Sequence, residues 1–164
     1  MSCSGETRSD IVKRPVAVLD IDGTVADVTH RVHLLDTDSP SRWAEFFNAA
    51  AADPPLLPGA ALARQLAAEH DIVWLTGRPE RLREDTHRWL VSHGLPAGEL
   101  LMRPSDDLRT ARMFKLERLD ELRRSRDIAI VVDDDPRVID HLPSAGLPVR
   151  QATWSTWMPV LGQQ

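Results

Sequence analysis

Three short stretches of the chain are almost wholly apolar: 15–21 (Pro-Val-Ala-Val-Leu-Asp-Ile), 71–76 (Asp-Ile-Val-Trp-Leu-Thr) and 127–133 (Asp-Ile-Ala-Ile-Val-Val-Asp). A strand covered on both faces has no solvent side to alternate with, so these runs read as central strands of a parallel sheet. Residues 99–103 (Glu-Leu-Leu-Met-Arg) and 147–151 (Leu-Pro-Val-Arg-Gln) are weaker versions of the same signal. Between the runs lie amphipathic helical stretches at about 59–69, 80–93, 108–124 and 136–145. Strands alternating with helices of this length predict right-handed βαβ crossovers, and so an α/β fold with a doubly wound, Rossmann-like parallel sheet. Residues 25–58 interrupt the alternation. They hold a short helical piece at about 41–51 and return through Pro54-Pro55-Leu56-Leu57-Pro58-Gly59, a stiff connector. This segment is expected to form a small cap insert after the first strand. Its Trp43, Phe46 and Phe47 fall at i, i+3 and i+4 and so share a helical face. That face either anchors the insert to the core or offers a platform on which a substrate base or sugar stacks.

Length and composition narrow the reading further. A chain of 164 residues suits one domain with its own core, here expected over 15–164 behind a polar, flexible tail at 1–14. No apolar run reaches the roughly 18–20 residues that cross a bilayer, and the start carries no apolar signal core. A cytoplasmic, membrane-free protein is the expectation, with no partner protein evident. Cys3 stands alone and cannot form an internal disulfide. Net charge is -5, from 20 basic and 25 acidic residues, so no broad basic footprint for a nucleic-acid backbone is advertised. Any nucleic acid would be recognised locally, at an end or a single phosphate. His30 and His33 make no convincing metal set.

Chemistry gathers where the strands end. In doubly wound folds, sites lie outside the carboxyl ends of the strands. Three runs here end in polar clusters at that edge: Asp20-Ile-Asp22-Gly23-Thr24, Thr76-Gly77-Arg78 and Asp133-Asp134-Asp135. Asp135 before Pro136 also reads as a helix N-cap with proline at the first helical position. Residues i and i+2 of a strand share a face, so Asp20 and Asp22 are expected to emerge side by side. Packed together, such carboxylates call for a cation, and with Asp133 and Asp134 they would form an oxygen site suited to Mg²⁺. Gly23 would let the chain turn tightly and leave N–H groups facing the pocket.

These motifs resemble those of the haloacid-dehalogenase-like (HAD) superfamily: DIDGT at 20–24, LTG at 75–77, Lys115, and the acidic pair at 133–134, in that order. A receiver domain uses similar residues, but there the lysine follows all the acidic groups; here it precedes the second cluster. The resemblance implies a Mg²⁺-dependent phosphatase in which Asp20 attacks phosphorus and forms an aspartyl-phosphate. Asp22 would protonate the leaving alcohol and later activate water, which requires a pKa above the ordinary value, as crowding by carboxylates would give. Asp20, the Asp22 carbonyl, Asp133 and Asp134 would hold the metal. Lys115, Thr76 and the Gly77 N–H would stabilise the phosphate, with Arg78 among the substrate-binding residues.

Residues 15–153 further resemble the phosphatase domain of polynucleotide kinase-phosphatase. The stretch from Arg103 through Asp107 and Arg109 to Lys115 matches in residue type and spacing, which would assign Arg103 and Arg109 to substrate phosphate or sugar. No GxxxxGK[ST] loop is present in these 164 residues, so no accompanying kinase domain is expected among them. The implied substrate is a nucleic-acid 3′-phosphate end. A nucleotide or other small phosphomonoester is the alternative, and a non-catalytic module of the same fold is disfavoured by its intact acidic set.

Overall fold

The computed structural model describes residues 13–156. Most of the expected tail, with Cys3, and Trp157 lie outside them. Five strands form one parallel sheet: β1 (Val16–Leu19), β2 (Asp71–Pro79), β3 (Gly98–Arg103), β4 (Ile128–Asp133) and β5 (Val149–Gln151), in the order β3-β2-β1-β4-β5. Helices α2 (Leu57–Ala67), α3 (Arg83–Ser92), α4 (Ala111–Leu122) and the short α5 (Pro136–Ile139) make the crossovers. The doubly wound sheet is as the sequence predicts. Chain order reverses between β1 and β4, which is the switch point where such folds open a crevice.

Strand parity divides the core. Val16 and Val18 pack with Phe114, Leu119 and Val138, the layer of α4 and α5. Ala17, Leu19 and Ile21 pack with Ala60, Ala63, Trp89 and Leu90, the layer of α2 and α3. Alternate side chains of a buried strand serve opposite layers, which is why the run is apolar throughout.

Two helices depart from the expected bounds. The 108–124 pattern becomes a helix only at Ala111, because Thr110 holds extended backbone and its hydroxyl accepts from the Met113 N–H at 3.3 Å, a local N-cap. Residues 104–110 are therefore loop, with Leu108 fully exposed. The 136–145 pattern gives four helical residues and then a separate 3₁₀ turn at Pro143–Ala145. Pro143 has no N–H to continue the helix and restricts the residue before it.

The insert leaves and rejoins the body through a small antiparallel clasp. Asp27 N–H donates to the Pro54 carbonyl at 2.8 Å and Leu56 N–H to the Val25 carbonyl at 2.8 Å. Between these points run a 3₁₀ segment (Thr29–Leu35), α1 (Arg42–Asn48) and a second 3₁₀ turn (Ala49–Ala52). Val28, Leu35, Phe46 and Phe47 form a separate small core with Trp43 against it. Trp43 meets Phe46 edge-on at 5.7 Å between ring centroids. Among the described residues no helix is long and apolar enough to cross a membrane.

Candidate active site

Asp20 follows the last residue of β1, and its N–H is fixed to the Val132 carbonyl of β4 at 2.9 Å. It continues the parity of Val16 and Val18, so its side chain leaves toward the α4 layer. From there Lys115, itself buried, brings its Nζ to 3.0 Å from Asp20 Oδ1 and donates to Asp133 Oδ2 at 2.8 Å. Asp133 ends β4, and its other oxygen accepts the Asp135 N–H at 2.9 Å. Asp134 is buried with Oδ2 lacking any hydrogen-bond partner. Gly23 explains how it fits: φ there is +76°, and a Cβ would lie 2.2 Å from Asp134 Oδ2. A side chain at position 23 would thus occupy the place of the carboxylate, besides straining the backbone.

Carboxylate oxygens of Asp20, Asp133 and Asp134, one from each, lie within 4.8 Å of one another. Three acids here face one ammonium. Burial, with the nearby Asp133 and Asp22, raises Asp20 to about 7 despite the opposing Lys115. Asp134 is likewise held well above the usual range, by burial and by Asp20 and Asp133. Burial would lower Lys115, but its three acidic neighbours raise it instead, so it stays charged. An orphaned buried carboxylate oxygen beside two further carboxylates is a donor set that fits a divalent cation, since hard cations take oxygen ligands and relieve this repulsion.

Asp22 lines the same cavity as Asp20, and its charge acts on the Asp20 carboxyl. Its carboxylate is held within a second cluster. Oδ1 accepts from Arg31 Nη2 at 2.7 Å and Arg78 Nη2 at 2.6 Å. Both guanidiniums also bind Asp53: Arg31 through Nε and Nη2 at 2.7 Å each, Arg78 through Nη2 at 2.9 Å. All four residues are buried. Burial pushes Asp22 up, but Arg78 and Arg31 outweigh it and hold the carboxyl well below the ordinary carboxylate range. The raised pKa expected from crowding is therefore reversed in this state, because the nearest charges are guanidiniums. Arg78, expected at the substrate, commits Nε and Nη2 to Asp22 and Asp53.

The other predicted residues divide as follows. Thr76 is buried, with Oγ1 accepting the Arg78 N–H at 3.2 Å, which leaves its own hydrogen for another acceptor. Gly77 lies against the start of α4, where a Cβ would come 2.8 Å from that of Ala111. Asp135 is the N-cap predicted, accepting the Arg137 N–H at 2.9 Å. Arg109 is engaged by Asp107 at 2.8 Å and Glu117 at 2.9 Å. Arg103 donates only from Nη1, to the Arg109 carbonyl at 3.2 Å. A cavity of about 260 Å³ joins these parts: Asp20, Lys115 and Asp134, Arg103 and Leu108, and the insert's Trp43, Phe46 and Phe47 all line it.

Arg31 and Asp53 were not foreseen. Both belong to the insert, where no periodic pattern marks them. The available signal was position, since Asp53 immediately precedes the Pro54-Pro55 connector that returns to the end of β1.

A doubly wound sheet with an aspartate at the end of β1, a buried lysine from α4 and an acidic pair at the end of β4 is the arrangement of a HAD-like phosphatase. The model of one family, the polynucleotide kinase PNKP phosphatase domain, matches residues 14–156, and the chain belongs to that family. Among solved structures, it is similar to a chain of a Pnkp1/Rnl/Hen1 RNA repair complex, with 24% identity, a TM-score of 0.70, and 88% of this chain and 44% of that one covered. A second Pnkp1/Rnl/Hen1 complex gives 25% identity and a TM-score of 0.69 over 90% of this chain and 49% of the other. This chain thus spans about half the length of those proteins or less. The class C acid phosphatase of Bacillus anthracis shares the fold, with 16% identity and a TM-score of 0.64 over 89% of this chain and 69% of that one. No curated protein matches the sequence.

Proposed function

We propose that the chain is a Mg²⁺-dependent polynucleotide 3′-phosphatase that works through an aspartyl-phosphate on Asp20. One observation carries the substrate: a single cavity is lined by Asp20 and Lys115 and by an aromatic wall of the insert, where half-buried Trp43 packs against the buried Phe46 and Phe47. A phosphate seated at Asp20 would have its leaving group against that wall, and rings stack on nucleobases of any sequence. Family membership and the likeness to RNA repair complexes point the same way.

In the first step an Asp20 oxygen forms a bond to phosphorus, the P–O3′ bond breaks, and the departing oxygen takes a proton from Asp22. In the second, Asp22 accepts a proton from water as the water oxygen attacks phosphorus and Asp20 is released. Clamped as an anion by Arg31 and Arg78, Asp22 suits the second step. In the first it must carry a proton, and the negative charge of the arriving phosphate raises its proton affinity. Lys115 holds Asp20 in place and offsets the repulsion between carboxylate and phosphate, about 4 kcal/mol per unit charge at 4 Å and an effective dielectric near 20. The Thr76 hydroxyl and the Gly77 N–H would donate to phosphate oxygens. Mg²⁺ bound by Asp20, Asp133 and Asp134, with the Asp22 carbonyl, would supply further positive charge at the phosphate.

The test is Mg²⁺-dependent phosphate release from 3′- and 5′-phosphoryl oligonucleotides, mononucleotides and sugar phosphates. Highest kcat/KM is expected on 3′-phosphoryl ends, falling about 10-fold in Trp43→Ala through loss of one stacking contact. Preference for sugar phosphates or 5′-mononucleotides would reject the reading.

A further inference from the structure

Arg103 is a half-buried cation with too few partners. It ends β3, two strand spacings or about 10 Å from the strand that carries Asp20, and its side chain lines the same cavity. Its Nε is buried without a hydrogen-bond partner, its one bond goes to a neutral carbonyl, and among the described residues no carboxylate comes within ion-pair distance. Arg118 and Arg126 also have an unpartnered Nε, but their guanidiniums are paired with Glu121 at 2.7 Å and Asp71 at 2.9 Å. Arg42 shares both deficits, with its Nη1 on the Thr37 carbonyl at 3.5 Å, but it does not line the cavity; among the described residues that do, only Arg103 combines them. Burial lowers its pKa, the mark of a cation whose lost hydration is not made good by an anion.

Its neighbours maintain this state. Asp107 is the nearby acid that could neutralise Arg103, but Arg109 holds it through Nε at 3.0 Å and Nη2 at 2.8 Å, and through its own N–H at 2.9 Å. Arg109 in turn is shared with Glu117. The two arginines that sequence spacing placed together thus have different tasks, one occupied with an acid and one left open.

We propose that Arg103 binds a second anion of the substrate, the phosphodiester that links the terminal nucleoside to the one before it. This rests on the 3′-phosphatase reading and deepens it: the smallest good substrate is a 3′-phosphorylated dinucleotide. The scissile phosphate has Lys115 and the acidic cluster's cation for its charge. An anion at Arg103 would lie in the cavity that Leu108 and the insert's aromatic residues also line.

The experiment compares two 3′-phosphorylated dinucleotides in the presence of Mg²⁺, one with a natural linkage and one with a neutral methylphosphonate linkage. The wild-type chain should favour the charged linkage by roughly 10-fold or more in kcat/KM, the scale of one charge-assisted hydrogen bond. In Arg103→Ala that ratio should collapse toward one. Arg103→Gln, which retains a donor for the Arg109 carbonyl, should collapse it equally and guards against a folding defect in the alanine variant. Activity on both dinucleotides with no preference in the wild type would overturn the assignment while sparing the 3′-phosphatase reading. So would a variant that loses rate on both substrates equally and keeps the ratio, since Arg103 would then serve the scissile phosphate. No turnover of either dinucleotide, with release from other phosphomonoesters, would sink the 3′-phosphatase reading and this inference with it.

Discussion

Two buried acidic clusters lie side by side at the carboxyl edge of this sheet, and they are satisfied in opposite ways. Around Asp53, two carboxylates meet two guanidiniums and the His30 ring, with every Asp53 and Asp22 side-chain contact between 2.6 and 3.3 Å. Around Asp20, three carboxylates meet one ammonium, and Asp134 keeps an oxygen with no partner. The first cluster is electrically complete within the chain. The second is short of positive charge and has the donor set for a cation. Two sites of similar burial and residue type are thus separated by their count of charges: the balanced one holds Asp22, the proposed acid and base, in a fixed direction, and the deficient one presents Asp20, the proposed nucleophile. Arg31 stacks over Phe46 at 4.0 Å and Trp89 donates its indole N–H to the Asp53 carbonyl at 2.8 Å, so the balanced cluster also ties the insert to the sheet.

The sharpest way to break this contrast is a matched pair of substitutions. Asp20→Asn removes the nucleophile and should reduce phosphate release by about 10⁴-fold or more, a barrier increase above roughly 5 kcal/mol. Because it also removes one of three crowded charges, the metal-free protein should melt no lower than wild type. Asp53→Ala touches no reacting atom, yet it leaves two buried guanidiniums with one carboxylate between them. Breaking a buried pair this way costs about 3–5 kcal/mol, so thermal melting should fall by roughly 10 °C. Equal melting of both variants would mean the clusters do not differ as their charges require.

How much of this could be read in advance follows from the same division. Asp20 and Asp133 were legible because strand ends fix them, Asp20 sharing parity with Val16 and Val18, whereas Lys115 was reached only through the motif resemblance and lies on α4, which packs on that face. The sheet itself was legible in five apolar runs. The guanidinium partners of Asp22 were not legible, because one of them, Arg31, is delivered by the insert. Arg31 and Asp53 were invisible because their partners are chosen by tertiary closure of the insert, and no spacing in 25–58 encodes a contact with Arg78. The short α5 was readable in hindsight from Pro143, whose effect on a helix is local. Arg103 and Arg109 have the same residue type and adjacent positions in one motif, and only the fold shows that Asp107 goes to one of them.

The smallest of these effects is also the most direct measure of the charge deficit. A ligand that binds the folded chain and not the unfolded one stabilises it by RT ln(1 + [L]/Kd), about 2.7 kcal/mol at a hundredfold excess over Kd. For a domain of this size that corresponds to roughly 5–10 °C. Mg²⁺ added to chelator-stripped protein should therefore raise the melting temperature by that amount. Asp134→Asn should reduce the gain, because it removes the carboxylate whose oxygen has no partner within the chain. Asp53→Ala should start from a lower melting point and still show the gain, since its defect lies in the other cluster. A shift that vanished in Asp53→Ala but survived in Asp134→Asn would place the cation among the guanidinium-bound acids and invert the assignment of the two clusters.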